Sequence, residues 1–325
     1  MEENLFEQRT DLTQLQQSVE KLKNEIGKVI VGQEQMVELL LAAILAEGHV
    51  LIEGVPGVAK TLTAKLLSRS LSVGFSRIQF TPDLMPSDVI GTSVFDPKES
   101  TFQFREGPIF SNIILIDEIN RAPAKTQAAL FEAMEEKQVT VDGQTYRLTS
   151  PFMVVATQNP VEQEGTYHLP EAQLDRFLFK INVLYPTAEQ EYEIVMKHHL
   201  SSQENMIDQV NPVLSAAEIE GLRAQVRNIR VEDRLIPFIT TIVGNTRAHK
   251  SIYLGASPRA SIGILNGAKA LAAIRGRDFI TPEDIIYLAP PVLRHRITLS
   301  PEKEMEGAEA DEVIREIIRG IEIPR

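Results

Sequence analysis

The chain has 325 residues, of which 43% are hydrophobic and 24% are charged, and this length and composition suit two folded domains with ordinary cores. The formal net charge of −12 argues against general binding of nucleic acid, and the absence of cysteine excludes disulfides, thiolate metal sites and thiol nucleophiles. The polar, acidic start is unlike a secretory signal and the apolar runs are too short to cross a membrane, so we expect a cytoplasmic protein without membrane insertion.

The first predicted element is an amphipathic helix over residues 5–26. Aliphatic residues recur there at spacings of three, four and seven, namely Leu5, Leu12, Leu15, Val19, Leu22 and Ile26. We expect the apolar stripe to pack on the body of the protein, and binding of a partner is the alternative. Residues 1–27 are therefore treated as an N-terminal helix.

Five short β-rich runs follow at 49–53, 77–81, 113–117, 152–157 and 177–183. Continuous apolar strands that alternate with helices predict a parallel five-stranded sheet with helices on both faces. A Pro-Thr pair within 185–190 marks a boundary, and helix start signals such as Ser257-Pro258 follow it. We predict an α/β core over 28–185 and a smaller all-α domain over 186–325.

Two segments interrupt the alternation and are predicted to be hairpins that protrude from the sheet. Residues 92–104 carry Pro-Lys-Glu-Ser at the expected turn. Residues 139–148 carry Asp142-Gly143 between two alternating runs, which is a strong signal for a tight hairpin turn.

The stretch EGVPGVAKT lies between the first strand and a predicted helix. The phosphate-loop pattern G-x-x-x-x-G-K-[ST] matches at Gly54, Lys60 and Thr61, but Ala59 stands where the pattern has its second glycine. We expect Ala59 to be tolerated, because a residue that leads into a helix should have a negative φ. A simple Gly/Pro turn is the alternative reading.

A phosphate loop would bind its ligand through the backbone N–H groups and the helix N-terminus. Gly57 would supply backbone freedom, Lys60 would reach the β and γ phosphates, and Thr61 would offer its hydroxyl to Mg²⁺.

Polar residues follow three of the predicted strands. The run IILIDEIN ends in Asp117 and Glu118, and carboxylates at the end of a buried strand are costly unless they are used. We assign Asp117 to the Mg²⁺ shell and Glu118 to the general base. Asn159, after MVVATQ, could orient the attacking water, and an ordinary turn asparagine before a proline is the alternative. Gln79 could hold Glu118 away from that water, or be an ordinary strand residue.

Two arginines are candidates for nucleotide chemistry. Arg176 precedes an apolar strand and would act as an arginine finger on a neighbour's γ-phosphate, with a salt bridge to Asp175 or a nearby acid as the alternative. Arg259 lies at a helix start, where a cation opposes the helix dipole, so we expect it to reach back to the bound nucleotide. His198 and His199 lack an acid-rich partner pattern and are expected to be solvated helix residues.

Five segments occur in an order that is typical of one family: GVPGVAKT, LIDEINRAPAKTQAALFEAMEE, VVATQNP, EGTYHLPEAQLDRF and SPRAS. With these, the chain resembles the MoxR family of AAA+ ATPases over about residues 28–325. The resemblance implies an AAA+ core followed by a lid. It also implies these functional positions: Walker A at 54–61, Walker B at Asp117 and Glu118, sensor 1 at Asn159, a finger acting in trans at Arg176, and sensor 2 at Arg259.

The same resemblance assigns ATP or ADP and Mg²⁺ as cofactors. It places Val31, Gly32 and Gln33 beside the adenine, the helix-2 insert at 92–104 and a further hairpin at 139–148. The nucleotide-binding residues are then Val31, Gly32, Gln33, Gly54, Val55, Pro56, Gly57, Val58, Ala59, Lys60, Thr61 and Leu62, with Thr61 and Asp117 also serving the metal.

The function implied by the resemblance is ATP hydrolysis by a homo-oligomeric ring, usually a hexamer, that remodels or matures partner proteins. The protein substrate is unnamed by the sequence, and a partner with a von Willebrand A domain would be a separate protein. A nucleic-acid motor, a metal-chelatase motor subunit and a nucleotide switch with little hydrolysis are the alternatives. The net charge argues against the first, and Glu118, Asn159 and Arg176 argue against the last.

Overall fold

The structure is a computed structural model, and it describes residues 11–55, 57–159, 167, 169–200 and 206–324. Leu5 and Pro56, which the sequence assigned to the N-terminal helix and the phosphate loop, lie outside the described residues.

The strands are β1 (His49–Gly54), β2 (Phe75–Gln79), β3 (Gly91–Asp96), β4 (Thr101–Glu106), β5 (Ile113–Asp117), β6 (Gln138–Val141), β7 (Gln144–Arg147), β8 (Met153–Gln158), β9 (Phe177–Val183), β10 (Ile252–Leu254) and β11 (Thr298–Leu299). The helices are α1 (Thr13–Gly27), α2 (Glu34–Leu45), α3 (Lys60–Ser70), α4 (Pro86–Ile90), α5 (Ala124–Glu136), α6 (Glu171–Leu174), α7 (Ala188–Leu200), α8 (Ala216–Arg227), α9 (Leu235–Ala248), α10 (Pro258–Ile274), α11 (Pro282–Leu293), α12 (Pro301–Met305) and α13 (Ala310–Arg319).

A parallel sheet with the order β2-β5-β8-β1-β9 forms the centre of the described part of the chain. The prediction of five parallel strands is confirmed, and the largest shift is in the second strand, which runs over 75–79 rather than 77–81. Phe75 pairs with Ile113 and Gln79 with Asp117, so β2 spans the length of β5. Beyond Gln79, the Phe80 N–H still donates to the Asp117 carbonyl at 3.0 Å, and the paired strand ends there because β5 ends at Asp117.

Helices cover both faces of the sheet, as predicted. Alternate residues of a strand point to opposite faces, so Leu115 joins one core with α2 and α3. Ile116 joins a second core, which holds Leu130 and Phe131 of α5. This double burial explains why β1, β5 and β8 read as largely continuous apolar runs.

Both predicted hairpins are present. β3 and β4 pair from Gly91↔Glu106 to Asp96↔Thr101, and β6 pairs with β7 around Asp142-Gly143. Asp142 and Gly143 have φ values of 50° and 79°, as a tight hairpin turn requires. The two hairpins touch, because Phe104 of β4 stacks on Tyr146 of β7 with ring centroids 4.3 Å apart.

The N-terminal helix packs on the body of the protein, as expected. Leu15, Val19, Leu22 and Ile26 of α1 are buried, and they belong to the core that also holds α3 and α10. The apolar stripe is therefore covered by the chain itself.

The region after β9 is helical, with one small addition to the all-α prediction. β10 and β11 form a short antiparallel pair within it. Ser257 caps α10 through a hydrogen bond from the Arg259 N–H, and Thr281 caps α11. In the described residues, every helix is too short or too polar to serve as a membrane span.

This helical region is tied to the edge strand β9. Arg294 donates to the Lys180 carbonyl, and Arg296 donates to the carbonyls of Phe177 and Leu178. Buried backbone carbonyls at a sheet edge need such donors, and here the helical region after β9 supplies them.

Candidate active site

The phosphate loop connects the carboxyl end of β1 to the first turn of α3. Lys60 is the first residue of that helix, and its Nζ donates to the Gly54 carbonyl at 2.6 Å. Partial burial lowers the pKa of Lys60, while Asp117, Glu118 and Glu53 act in the opposite direction. The ammonium is thus held beside the loop, where a phosphate would offer it a stronger acceptor.

Ala59 corrects one expectation from the sequence. Its φ is +59°, in the left-handed region, and not negative as predicted. The helix begins only at Lys60, so Ala59 is the turn residue before it and adopts the conformation that a glycine would favour. Gly57 has a φ of +88°, in line with its predicted role in the loop.

The two predicted metal ligands come together from different elements. Thr61 Oγ1 of α3 donates to Asp117 Oδ1 at 3.5 Å, and Thr157 Oγ1 of β8 donates to the same oxygen at 3.2 Å. Thr157 Oγ1 also accepts the Glu118 N–H at 3.1 Å. Thr157, which the sequence analysis did not single out, therefore fixes both consecutive acids.

Asp117 has a second partner that sequence reasoning missed. Arg77 Nε of β2 donates to Asp117 Oδ2 at 2.6 Å, so a guanidinium covers the oxygen opposite Thr61. The sequence did hold a signal for Arg77. It lies two residues before Gln79, and alternate residues of a strand share a face, so both side chains could be expected near the active-site acids.

The donor set around Asp117 fits Mg²⁺. Hard oxygen ligands from one carboxylate and one hydroxyl, completed by phosphates and water, are the usual protein share for this ion. Among the described residues there is no group of three or more histidines or acids that could hold a metal alone. Metal binding here would thus depend on a phosphate ligand.

Glu118 sits in a strained turn and is held from two sides. Its φ is +58°, which costs a non-glycine residue about 1–2 kcal/mol and is common at functional sites. Gln79 Nε2 donates to Glu118 Oε2 at 2.8 Å, and Arg121 Nε lies 3.0 Å from the same oxygen. The contact expected of Gln79 is present.

Asn159 directly follows β8, the strand beside β5.

A cavity of about 150 Å³ lies beside the phosphate loop. The predicted adenine-flanking residues Val31 and Gln33 line it, together with 57–59, Leu62 and residues of α7. Gly32 has a φ of +71°, and a Cβ there would meet the Gln190 side chain at 2.3 Å.

Three α7 residues at this cavity were not predicted to line it, namely Ile194, Lys197 and His198. Ile194 and His198 lie one helical turn apart. His198 is exposed, as expected, but it borders the candidate nucleotide site. The spacing of four residues between Ile194 and His198, which places both on one face of a helix, was the signal in the sequence.

The two predicted arginines lie elsewhere. Arg176 directly precedes β9, whose Phe177 pairs with His49 at the start of β1. The phosphate loop follows the other end of β1, roughly 20 Å away at the usual rise of a strand. Arg176 therefore lies far from the phosphate loop of its own chain.

Arg259 lies beside Arg176, since both bind Glu135. It is therefore distant from the phosphate loop of its own chain, and its assignment as sensor 2 stays a prediction. The lid docks against β9 at the amino ends of the strands and carries Arg259 there. A sequence motif alone cannot tell which end of the sheet a lid faces.

Comparisons with known proteins agree with this architecture. Residues 49–179 match the family described as "ATPase family associated with various cellular activities (AAA)", and residues 244–317 match the "AAA lid domain". Neither match covers the predicted domain boundary at 185/186, so that boundary stays a prediction.

Three relatives cover most of the chain. YeaC of Bacillus subtilis (strain 168) is 48% identical over 304 residues, which is 94% of each chain. Chaperone MoxR1 of Mycobacterium tuberculosis is 43% identical over 95% of this chain and 83% of its own. The crystal structure of an ATPase candidate from Cytophaga hutchinsonii is 43% identical, with a TM-score of 0.89 over 97% of each chain.

Proposed function

Because the chain belongs to the MoxR family of AAA+ ATPases, we propose that it hydrolyses ATP with Mg²⁺ and acts as a chaperone-like motor on partner proteins. The single observation that carries the hydrolysis proposal is the meeting of Thr61 with Asp117, which brings the phosphate loop to the strand that ends in Asp117 and Glu118. A phosphate-binding loop beside a metal ligand and an adjacent base is the arrangement that phosphoryl transfer to water requires.

Each group has a distinct task in this proposal. Lys60 would turn from the Gly54 carbonyl to the β and γ phosphates, and Thr61 and Asp117 would hold the metal. A bound Mg²⁺ would neutralise charge on the phosphates. Glu118 accepts the proton of the attacking water once Gln79 no longer holds its carboxylate, and Asn159 orients that water.

The positions of Arg176 and Arg259 support catalysis shared between subunits. Both lie at the far end of the sheet from Lys60, so in a closed ring they would face the nucleotide of a neighbouring copy. Hydrolysis then depends on assembly, and a hexamer is the ring we propose.

The proposed substrate is a protein, and the proposed compartment is the cytoplasm. The relative named as a chaperone supports a protein substrate. The net charge of −12 disfavours nucleic acid, and the lack of cysteine suits a reducing compartment. A separate protein with a von Willebrand A domain is the proposed kind of partner.

ATP turnover per subunit is expected to rise steeply with protein concentration as rings assemble. The measurement is phosphate release over a concentration series, with the mass of the assembly determined in parallel. A flat, low rate at every concentration, although rings are present, would contradict the proposed shared site.

Lys60→Ala is expected to weaken nucleotide binding about 10–100-fold, since it removes a charge-assisted contact to phosphate. Titration of a fluorescent ATP analogue measures the affinity. Lys65→Ala is the matched control, because Lys65 is an exposed lysine of the same helix. Equal affinity of Lys60→Ala and wild type would remove the phosphate-loop assignment.

A further inference from the structure

Arg176 and Arg259 come from the core and the lid, yet both bind the carboxylate of Glu135 near the end of α5. Glu135 Oε2 accepts from Arg176 Nε at 2.7 Å, and Oε1 accepts from Arg259 Nη2 at 2.6 Å. Each carboxylate oxygen thus takes one guanidinium. Two like charges that would repel each other are held side by side by the acid between them.

A second contact from the same helix orients Arg176. Its guanidinium carbon lies 5.8 Å from the ring centroid of Phe131, which precedes Glu135 by one turn on α5. α5 therefore supplies both an aromatic face and a carboxylate to this arginine.

The acid next to Arg176 in sequence has other partners. Asp175 Oδ1 accepts from Arg296 Nε at 2.7 Å, and Oδ2 accepts from Ser257 Oγ at 2.9 Å. Ser257 is the N-cap of the helix that carries Arg259. Asp175 thus joins the segment before β9 to the start of α10. Glu135, in contrast, sets the distance between the guanidinium groups of Arg176 and Arg259.

The three side chains are partly open to solvent at a cavity of about 260 Å³. Their exposed fractions are 28% for Arg176, 54% for Arg259 and 35% for Glu135. One carboxylate balances only one of the two guanidinium charges, so the group keeps one excess positive charge. An anion that reaches this cavity can contact both arginines.

We infer that Glu135 is a positioning residue that presents Arg176 and Arg259 as a pair to one phosphate of the neighbouring subunit's nucleotide, an inference that rests on the proposed function. Glu135 does not touch the phosphate. Hydrogen bonds from Arg176 and Arg259 lower its pKa, so it stays ionised near neutral pH.

Glu135→Gln and Glu135→Ala in the full-length chain test this role. We expect kcat of the assembled protein to fall about 10–100-fold, as misplacement of catalytic groups does. KM for ATP, affinity for a fluorescent ATP analogue and assembly mass should not change. Glu136→Gln is the matched control, since Glu136 is the next, exposed acid of α5, and it should keep wild-type turnover.

Mixing experiments separate positioning from a general structural effect. Glu135→Gln subunits should regain turnover when mixed with Glu118→Gln subunits, because the two defects affect opposite sides of an interface. They should not regain it with Arg176→Ala subunits, whose defect is on the same side. Glu135→Gln should cost no further turnover in a variant that already carries both Arg176→Ala and Arg259→Ala, because neither positioned guanidinium remains.

Wild-type turnover in Glu135→Gln, or recovery with Arg176→Ala subunits, would overturn the inference. Increased turnover would also overturn it, since Glu135 would then be restraining the arginines. If wild-type rings do not hydrolyse ATP, the proposed function fails instead. If Arg176→Ala keeps full turnover in assembled rings, only the proposed shared site fails, so these failures are distinguishable.

Discussion

Glu118→Gln is expected to bind ATP as tightly as the wild type while its turnover falls about 10²–10⁴-fold, the usual contribution of a general base. The amide keeps the size of the carboxylate but cannot accept the proton of the attacking water. Binding of a fluorescent ATP analogue and single-turnover phosphate release measure the two effects separately.

The control for this prediction is Glu132→Gln, which makes the same chemical change at an exposed acid of α5. It should retain both binding and turnover. If Glu118→Gln still hydrolyses ATP at the wild-type rate, the base is another group, and the strained turn at Glu118 has a different purpose.

Arg176→Ala is expected to lower turnover of the assembled protein about 10³–10⁵-fold, the range measured for removal of an arginine finger. Binding of ATP at its own phosphate loop should not change, because Arg176 lies at the opposite end of the sheet from Lys60. Phosphate release at a concentration where rings have formed is the measurement.

Mixing Arg176→Ala with Glu118→Gln subunits tests action in trans. With random mixing in equal amounts, about a quarter of the interfaces in a cyclic ring join an intact Glu118 to an intact Arg176. Arg234→Ala, at an exposed ion pair with Glu232, is the control for loss of a surface arginine. No recovery at any mixing ratio would place Arg176 outside the neighbour's site.

Much of the fold could be read from the sequence because local signals and the final structure agree. The apolar strands, the Asp142-Gly143 turn and the Ser257 cap each reflect short-range chemistry. The second strand was displaced by two residues because its ends depend on β5, which lies far away in the chain.

The active-site acids were predictable for the same reason. Asp117 and Glu118 end a buried strand, and the phosphate loop ends another, so parallel pairing brings them to one edge. Their partners were harder to foresee. Arg77 and Thr157 look like ordinary strand residues until the neighbouring strands are placed beside β5.

By itself, the sequence determined the family, the parallel sheet and the phosphate-loop chemistry, because these follow from ordered motifs and the periodicity of short segments. The tertiary structure alone decided that Ala59 takes a left-handed conformation and that Arg259 joins Arg176 on Glu135. The first depends on where α3 begins, and the second on how the lid docks against β9. Both are set by contacts between residues far apart in the chain, which no local pattern records.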